Sequence, residues 1–223
     1  MIVIEVYFID VTAADDVVEA LADLLADGEL VHANRYRFAD DRCRSIVARA
    51  AVRRLLGRYL DADPRTLTIT AGEHGKPALP GREIEFNVSH SGDLVAIAFA
   101  KGAPIGIDVE RRRRLNDARA LARRFFSAEE HAMVTAAADL EAAFLTVWTA
   151  KEAIVKATGK GIGASDLRGF TVPFGDRRML PVFDGWSVAA IDPPLKNYFA
   201  AVAAQEEEEH DVISNIVAPA SLI

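Results

Sequence analysis

The sequence predicts a mixed α+β fold built from two similar α/β halves. Each half combines short strand-like segments with one long helical segment, at about 38–60 in the first half and about 139–158 in the second. Pro104 falls near the middle of the chain and precedes the strand-like run IGIDVE at 105–110. These observations indicate two units of similar size.

The expected boundaries follow from that midpoint. We expect an N-terminal subdomain over 1–103 and a C-terminal subdomain over 104–205, which would carry any metal site. The run Gln205 to Glu209 places four glutamates in a row, a pattern typical of a solvated segment. Residues 206–223 are therefore predicted to be a flexible acidic tail.

The first half reads as strands interrupted by two helices. Apolar residues of the segment 38–60 form a stripe at helical spacing, and the loop AGEHGKPALPG at 71–81 is punctuated by glycine and proline. In order, the predicted elements are a strand over 2–9, helices over 15–26 and 38–60, and strands over 67–70, 84–89 and 94–100.

The second half reads as a strand, three helices and further strands. The last helix should stop at Gly159, because glycine readily takes the left-handed conformation that ends helices. In order, the predicted elements are a strand over 105–110, helices over 116–125, 127–137 and 139–158, and strands over 186–189 and 198–202.

Composition excludes several classes of protein. The 223 residues are 51% hydrophobic, enough for a sizeable core, and the net charge of −7 argues against a general nucleic-acid binder. Cys43 is the single cysteine, so no disulfide forms within the chain. No apolar run reaches the roughly 18–20 residues that span a bilayer, and the first ten residues do not resemble a signal peptide. We expect a soluble, cytoplasmic protein that binds no membrane.

Two acids in IGIDVE carry the first functional signal. Asp108 and Glu110 are two apart on a predicted strand, so both carboxylates point to the same face and repel each other. Glu152, on the last helix, is a third carboxylate. Three oxygen donors that converge on one point would suit Mg²⁺, which also takes phosphate oxygens. The alternative for Glu152 is an ordinary surface ion pair with Lys156, four residues on.

Cationic and hydrogen-bonding side chains accompany these acids. The turn-like stretch FNVSHSG contains Ser89 and His90, which could donate hydrogen bonds to an anion or serve only the geometry of a polar turn. The other candidate contacts to a polyanionic ligand are Arg44, Lys76, Lys151 and Lys156. Together with the acids they predict a Mg²⁺-dependent enzyme that acts on a phosphate or pyrophosphate.

The same motifs resemble those of a known family. FNVSHSG, then GIDVE, FFSAEE and WTAKEAIVKATGKGI, resemble in order the 4′-phosphopantetheinyl transferases of the larger, Sfp-type class. The resemblance covers roughly residues 35–172. It implies two halves related by a pseudo-twofold axis, and transfer of the phosphopantetheine arm of coenzyme A to a serine of an acyl, polyketide or peptidyl carrier protein, with release of adenosine 3′,5′-bisphosphate.

The resemblance also implies roles for individual residues. Asp108, Glu110 and Glu152 match the acids that bind Mg²⁺, or Mn²⁺ in its place, and Glu152 also matches the base for the carrier serine. Lys156 matches the lysine beside the pyrophosphate. The remaining positions that match contacts to coenzyme A are Arg44, Lys76, Ser89, His90 and Lys151, and Glu130 matches a supporting acid. The chain departs from the family at Gly28 and Val31, where some members carry lysines that reach the 3′-phosphate.

Several alternatives stay open at the level of sequence. A Mg²⁺-dependent phosphodiesterase or pyrophosphatase would share the acids, and an inactive coenzyme A-binding regulator would share the fold. Fatty-acid, polyketide and nonribosomal-peptide carriers are equally compatible substrates. The double-length chain of this class favours a monomer, and the basic run Arg111–Arg114 is a candidate surface for docking an acidic carrier.

Overall fold

A computed structural model describes residues 2–72, 75–81, 84–159, 167–205 and 210–223 of the chain. It shows helices packed against two four-stranded sheets, together with a small two-stranded sheet. The predicted mixed α+β fold class is therefore confirmed.

The two long predicted helices form at the expected positions. α3 ends at Asp61, which adopts the left-handed conformation, and α6 ends at Gly159 as predicted. No helix in the described ranges is long and apolar enough to cross a membrane. In chain order, the helices are α1 (Val18–Ala22), α2 (Asp27–Ala33), α3 (Ala39–Leu60), α4 (Ala118–Phe125), α5 (Ala128–Ala136) and α6 (Leu140–Thr158).

The first sheet combines strands from both halves of the chain, whereas the second is built from the second half alone. The first sheet has the order β10-β1-β5-β4 and the second the order β6-β9-β8-β7; neighbours are antiparallel except β1 and β10, which are parallel. The strands are β1 (Ile2–Asp10), β2 (Thr70–Ala71), β3 (Pro77–Ala78), β4 (Ile84–Ser91), β5 (Leu94–Lys101), β6 (Ile105–Arg111), β7 (Leu180–Phe183), β8 (Trp186–Ile191), β9 (Tyr198–Gln205) and β10 (His210–Ile216).

Two predicted elements of the first half differ from the structure. The single helix expected over 15–26 is only the short α1, and a separate helix, α2, follows at Asp27–Ala33. The side chain of Glu29 accepts a hydrogen bond from the backbone N–H of Ala26, which stabilises the start of α2. The strand expected over 67–70 is limited to the two residues of β2.

The prediction of a flexible tail is wrong for residues 210–223. β10 pairs in parallel with β1 along its whole length, and a 3-10 helix follows at Pro219–Leu222. The side chain of Leu222 is fully buried in the core beneath α3. The glutamate run at 206–209 lies outside the described residues.

The layers stack in the order α3, first sheet, second sheet, α6. One face of the first sheet packs on α3, while its other face packs on the second sheet through residues such as Val6, Ala96 and Ile107. The far face of the second sheet packs on α6. Alternation along β6 therefore turns Ile105, Ile107 and Val109 toward the first sheet, and turns Asp108 toward α6.

Candidate active site

The site is built on the edge strands of the two sheets, β4 and β6, which lie side by side. Alternate side chains of β4 accept hydrogen bonds from backbone N–H groups of β6, at a constant offset of twenty residues. The three pairs are Asn87 with Ile107 (2.9 Å), Ser89 with Val109 (3.2 Å) and Ser91 with Arg111 (3.0 Å). These side chains therefore take the place of a neighbouring strand's carbonyls and set the register of the two edges.

Ser89 connects these hydrogen bonds between β4 and β6 to Asp108. Its hydroxyl donates to Oδ1 of Asp108 (2.9 Å), while it accepts hydrogen bonds from the N–H of Val109 and from Nζ of Lys156 (2.9 Å). A hydroxyl has one donor and two acceptor positions, and all are used within the protein. Ser89 is also buried, so its place in the structure is to hold Asp108 rather than to face the pocket.

Glu110 is held in the same way, two residues further along β6. The hydroxyl of Ser91 donates to its Oε2 at 2.8 Å. Burial raises the pKa of Glu110, and the negative charge of Asp108 raises it further, while Arg113 and Lys156 lower it. The repulsion between the two acids that the sequence predicts is therefore present in the structure.

Glu152 reaches the acids because α6 packs directly on β6. A Cβ atom at Gly106 would lie 2.0 Å from the carbonyl oxygen of Ala153 and 2.4 Å from the backbone nitrogen of Ala157. Only glycine permits such a close approach of helix and strand. The glycine of GIDVE thus brings the buried side chain of Glu152 over the face of β6 that carries Asp108.

Two carboxylate oxygens in this cluster are buried without a hydrogen-bond partner among the described residues: Oδ2 of Asp108 and Oε1 of Glu152. Burial raises the pKa of Asp108. Burial, followed by the negative charge of Asp108, raises the pKa of Glu152 to about 7, with an opposing effect from Lys156. Buried polar atoms are normally paired, and carboxylate oxygens are the ligands that Mg²⁺ prefers, so this pair fits a divalent cation.

The third acid does not complete a ready-made metal cluster. Within the ranges that the structure covers, no three acidic, histidine or cysteine side chains are grouped closely enough to hold a metal ion. Two contacts account for this: Lys156 Nζ donates to Oδ1 of Asp108 at 2.6 Å, and Glu110 is turned to Ser91. The surface-pair alternative for Glu152 and Lys156 is also wrong, because Lys156 pairs with Asp108 and Glu152 is buried.

A cavity of about 430 Å³ lies between α3, β4 and the loop before β3, and is lined by His90 and Arg49 among others. The pKa of His90 is lowered by burial and then by the positive charges of Arg44, Lys156 and Arg49. Positive charge from these three side chains thus surrounds His90, and we call this the cationic cavity, although Glu29, which pairs with Arg53, also lines it. The guanidinium of Arg49 suits an anion. Sequence reasoning missed Arg49. The sequence does contain a signal for Arg49: Ser45 and Arg49 are polar, lie four residues apart and interrupt the apolar stripe of α3. In the structure Arg49 donates a hydrogen bond to the hydroxyl of Ser45.

Two family models match this chain, one in each half. A family model described as the 4′-phosphopantetheinyl transferase superfamily matches residues 104–189, and one described as 4′-phosphopantetheinyl transferase, N-terminal, matches residues 12–102. The 4′-phosphopantetheinyl transferase HetI of Nostoc sp. is 35% identical over 189 residues, which cover 82% of this chain and 79% of that protein. The chain belongs to the 4′-phosphopantetheinyl transferase superfamily.

Other members of the superfamily match over shorter stretches. The 4′-phosphopantetheinyl transferase Sfp of Bacillus subtilis is 33% identical over 57% of this chain and 57% of its own length. The 4′-phosphopantetheinyl transferase AcpT of Salmonella typhimurium is 42% identical over 49% of this chain and 57% of its own. These matches span less than two thirds of either relative.

Two cations predicted to contact coenzyme A, Arg44 and Lys76, bond to groups within the protein. Arg44 Nε donates to the carbonyl of Gly92 (2.7 Å), and its guanidinium also pairs with Asp41 (2.6 Å). Lys76 Nζ donates to the carbonyls of Ile105 (2.9 Å) and Ala157 (3.3 Å), and burial lowers its pKa. The positive charge of Arg44 still lowers the pKa of His90, whereas Lys76 ties its loop to β6 and α6.

The prediction that Lys151 contacts a phosphate is wrong. Its side chain is fully buried and pairs at 2.9 Å with Glu130, which is equally buried. Lys151 Nζ also donates to the carbonyls of Leu167 and Phe170, and Glu130 accepts from the backbone N–H of Val172. The two charges are buried as a pair, because either charge left unpaired in the core would cost several kcal/mol. Lys151 and Glu130 therefore join α5, α6 and residues 167–172.

Proposed function

We propose that this superfamily member transfers the 4′-phosphopantetheine arm of coenzyme A to a serine of an apo carrier protein and releases adenosine 3′,5′-bisphosphate. This is holo-acyl-carrier-protein synthase activity in the broad sense. The serine oxygen forms a bond to the phosphorus on the pantetheine side, and the bond from that phosphorus to the bridging oxygen breaks. The observation that carries the proposal is the pair of buried oxygens on Asp108 and Glu152, beside Lys156 and an adjoining cationic cavity.

The cationic cavity supports binding of the donor. His90 and Arg49 line it, and the positive charge of Arg44 acts on His90. Coenzyme A carries phosphates at its 3′ position and in its pyrophosphate, which such a cavity would attract. In this proposal Ser89 and Lys76 support the site from within the protein and do not contact the donor directly.

The acids and Lys156 would perform the chemistry. Glu152, buried beside Asp108 and Lys156, would accept the proton of the carrier serine directly or through a water. Lys156 would stabilise the negative charge that develops on the leaving phosphate. Asp108, Glu152 and Glu110 would hold Mg²⁺, or Mn²⁺, which when bound supplies positive charge to the phosphate oxygens.

The setting follows from the same proposal. The protein substrate would be an acyl, polyketide or peptidyl carrier protein, and the enzyme would act as a monomer in the cytoplasm without binding nucleic acid or membrane. Arg111–Arg114 stays a candidate surface for the carrier. Within that run, Arg111 and Arg112 form ion pairs with Asp93 and Asp139, and both are at least one third exposed.

Intact-mass measurement on a panel of apo carriers tests the proposal. Wild-type protein with coenzyme A and Mg²⁺ should add one phosphopantetheine arm to at least one carrier, and Asp108→Ala should lose that transfer while its thermal unfolding stays cooperative. Lys101→Ala, which removes an exposed charge, is the matched control and should keep full transfer. Hydrolysis of coenzyme A without a modified carrier would favour a phosphodiesterase, and binding without turnover would favour a regulator.

A further inference from the structure

Lys156 is bound to the acid cluster by two hydrogen bonds. Its Nζ donates to Oδ1 of Asp108 at 2.6 Å and to Oγ of Ser89 at 2.9 Å. The other oxygen of the same carboxylate, Oδ2, has no hydrogen-bond partner in the described part of the chain. One carboxylate thus holds an ammonium on one oxygen and presents its second oxygen to any further cation.

An ammonium and a divalent cation cannot both be held tightly by this carboxylate. At separations of a few ångströms, inside a protein, like charges repel strongly. Asp108 is only 6% exposed and is fixed by Ser89 and by the backbone of β6, whereas the side chain of Lys156 is 29% exposed. Lys156 is therefore the partner that can move.

We propose that Lys156 and the divalent cation compete for Asp108, so that the cation binds tightly only after a phosphate of the donor has drawn Lys156 away. This inference rests on the proposed function, which supplies a polyanionic donor. It assigns Lys156 a role before the chemical step. The ammonium neutralises Asp108 until a phosphate of the donor draws it away.

Cooperative binding is the consequence. If the donor releases Asp108 from Lys156, the donor raises the affinity of the protein for the metal, and the metal raises the affinity for the donor by the same factor. The direct metal–phosphate contact would add to this effect in any variant. Only the part that depends on Lys156 should vanish when Lys156 is replaced.

Titration of the full chain with Mn²⁺ alone, followed by electron paramagnetic resonance of the free ion, measures the competition. Lys156→Met should bind Mn²⁺ at least about five-fold more tightly than wild type, the lower range of typical coupling between sites. Lys156→Arg, which keeps a cation beside Asp108, should stay close to wild type. With saturating coenzyme A present, the gain in Mn²⁺ affinity should be smaller for Lys156→Met than for wild type.

Two controls decide between the outcomes. Arg49→Gln removes a positive charge from the adjoining cavity without touching Asp108, because Arg49 bonds to Ser45; an equal tightening there would overturn direct competition. Unchanged Mn²⁺ affinity in Lys156→Met would also overturn it. Asp108→Asn should abolish Mn²⁺ binding in every background. Its failure to do so would instead contradict the metal site of the proposed function.

Discussion

Glu152 is a buried carboxylate whose charged form the fold disfavours. Its pKa is raised to about 7 by burial and by Asp108, whereas an unfolded chain titrates glutamate near about 4.3. The folded pKa lies above the unfolded one, so this group's contribution to stability is fully present below about pH 4.3 and is lost as the pH rises through about 7. The buried carboxylate of Glu152 therefore lowers the stability of the fold at the pH at which the site would work.

We expect Glu152→Gln to raise the free energy of unfolding at pH 8 by roughly 2–3 kcal/mol and to change it little at pH 4. Urea unfolding at both pH values, with EDTA present, measures this. Glu129→Gln, which changes an exposed carboxylate on α5, should alter stability at neither pH. Equal stabilisation of Glu152→Gln at both pH values would point to packing and contradict the electrostatic cause.

The two lysines of α6 show why the sequence alone could not predict every residue of the site. Lys151 and Lys156 stand five apart on α6, and both were expected at a phosphate. Lys156 reaches Asp108, whereas Lys151 is buried against Glu130. The direction of each side chain depends on which strand or loop packs on that face of the helix, and the sequence of α6 alone does not contain that information. The acids were placed correctly on one face because strand alternation is a local property.

Elements were predictable where their signals are local. α3, α6 and the strands β4, β5 and β6 appear within a few residues of their expected ranges. The ladder from β4 side chains to the β6 backbone was not predicted, although FNVSHS and GIDVER supply both of its sides. Ser89 and His90 on β4 had been assigned to a ligand, whereas Ser89, together with Asn87 and Ser91, completes the hydrogen bonds of β6.

The close approach of β6 and α6 makes a prediction at this scale. Gly106→Ala should lower the free energy of unfolding by about 1–3 kcal/mol or more, because the added methyl group would overlap backbone atoms of α6 that cannot move independently. It should also move Glu152 away from Asp108 and so reduce transfer.

Gly28→Ala is the matched control. No atom lies within 4 Å of the position a Cβ would take at Gly28 in α2, so alanine should stabilise the protein by about 0.5–1 kcal/mol through its helix propensity. Thermal unfolding of both variants, together with the carrier assay, measures the contrast. Equal behaviour of the two would contradict the close packing of helix and strand.

At the scale of the whole molecule, residues 210–223 belong to the first sheet and the first core. β10 pairs with β1, the carbonyls of Ser221 and Leu222 accept hydrogen bonds from Arg58 and Arg54 of α3, and Leu222 is buried. Sequence reasoning missed this because the partner strand is distant in the chain. The preceding glutamates also suggested a solvated segment.

Leu222→Ala should therefore lower the free energy of unfolding by about 2–5 kcal/mol, the usual range for truncating a buried leucine. Ile223→Ala, at a side chain that is 55% exposed, should change it by less than about 0.5 kcal/mol. Urea unfolding of the two variants measures the difference. A small effect at Leu222 would show that the segment is not anchored in the core.

The pairing of β1 with β10 also bears on how the protein is made. β1 leaves the ribosome well before its parallel neighbour β10, which is synthesised only after the helices and strands between them have been translated. Until then β1 carries an open edge, which is the kind of surface that associates with other nascent chains. We therefore expect the first half, when made alone, to need a chaperone to stay dispersed, and the enzyme to mature after translation rather than half by half.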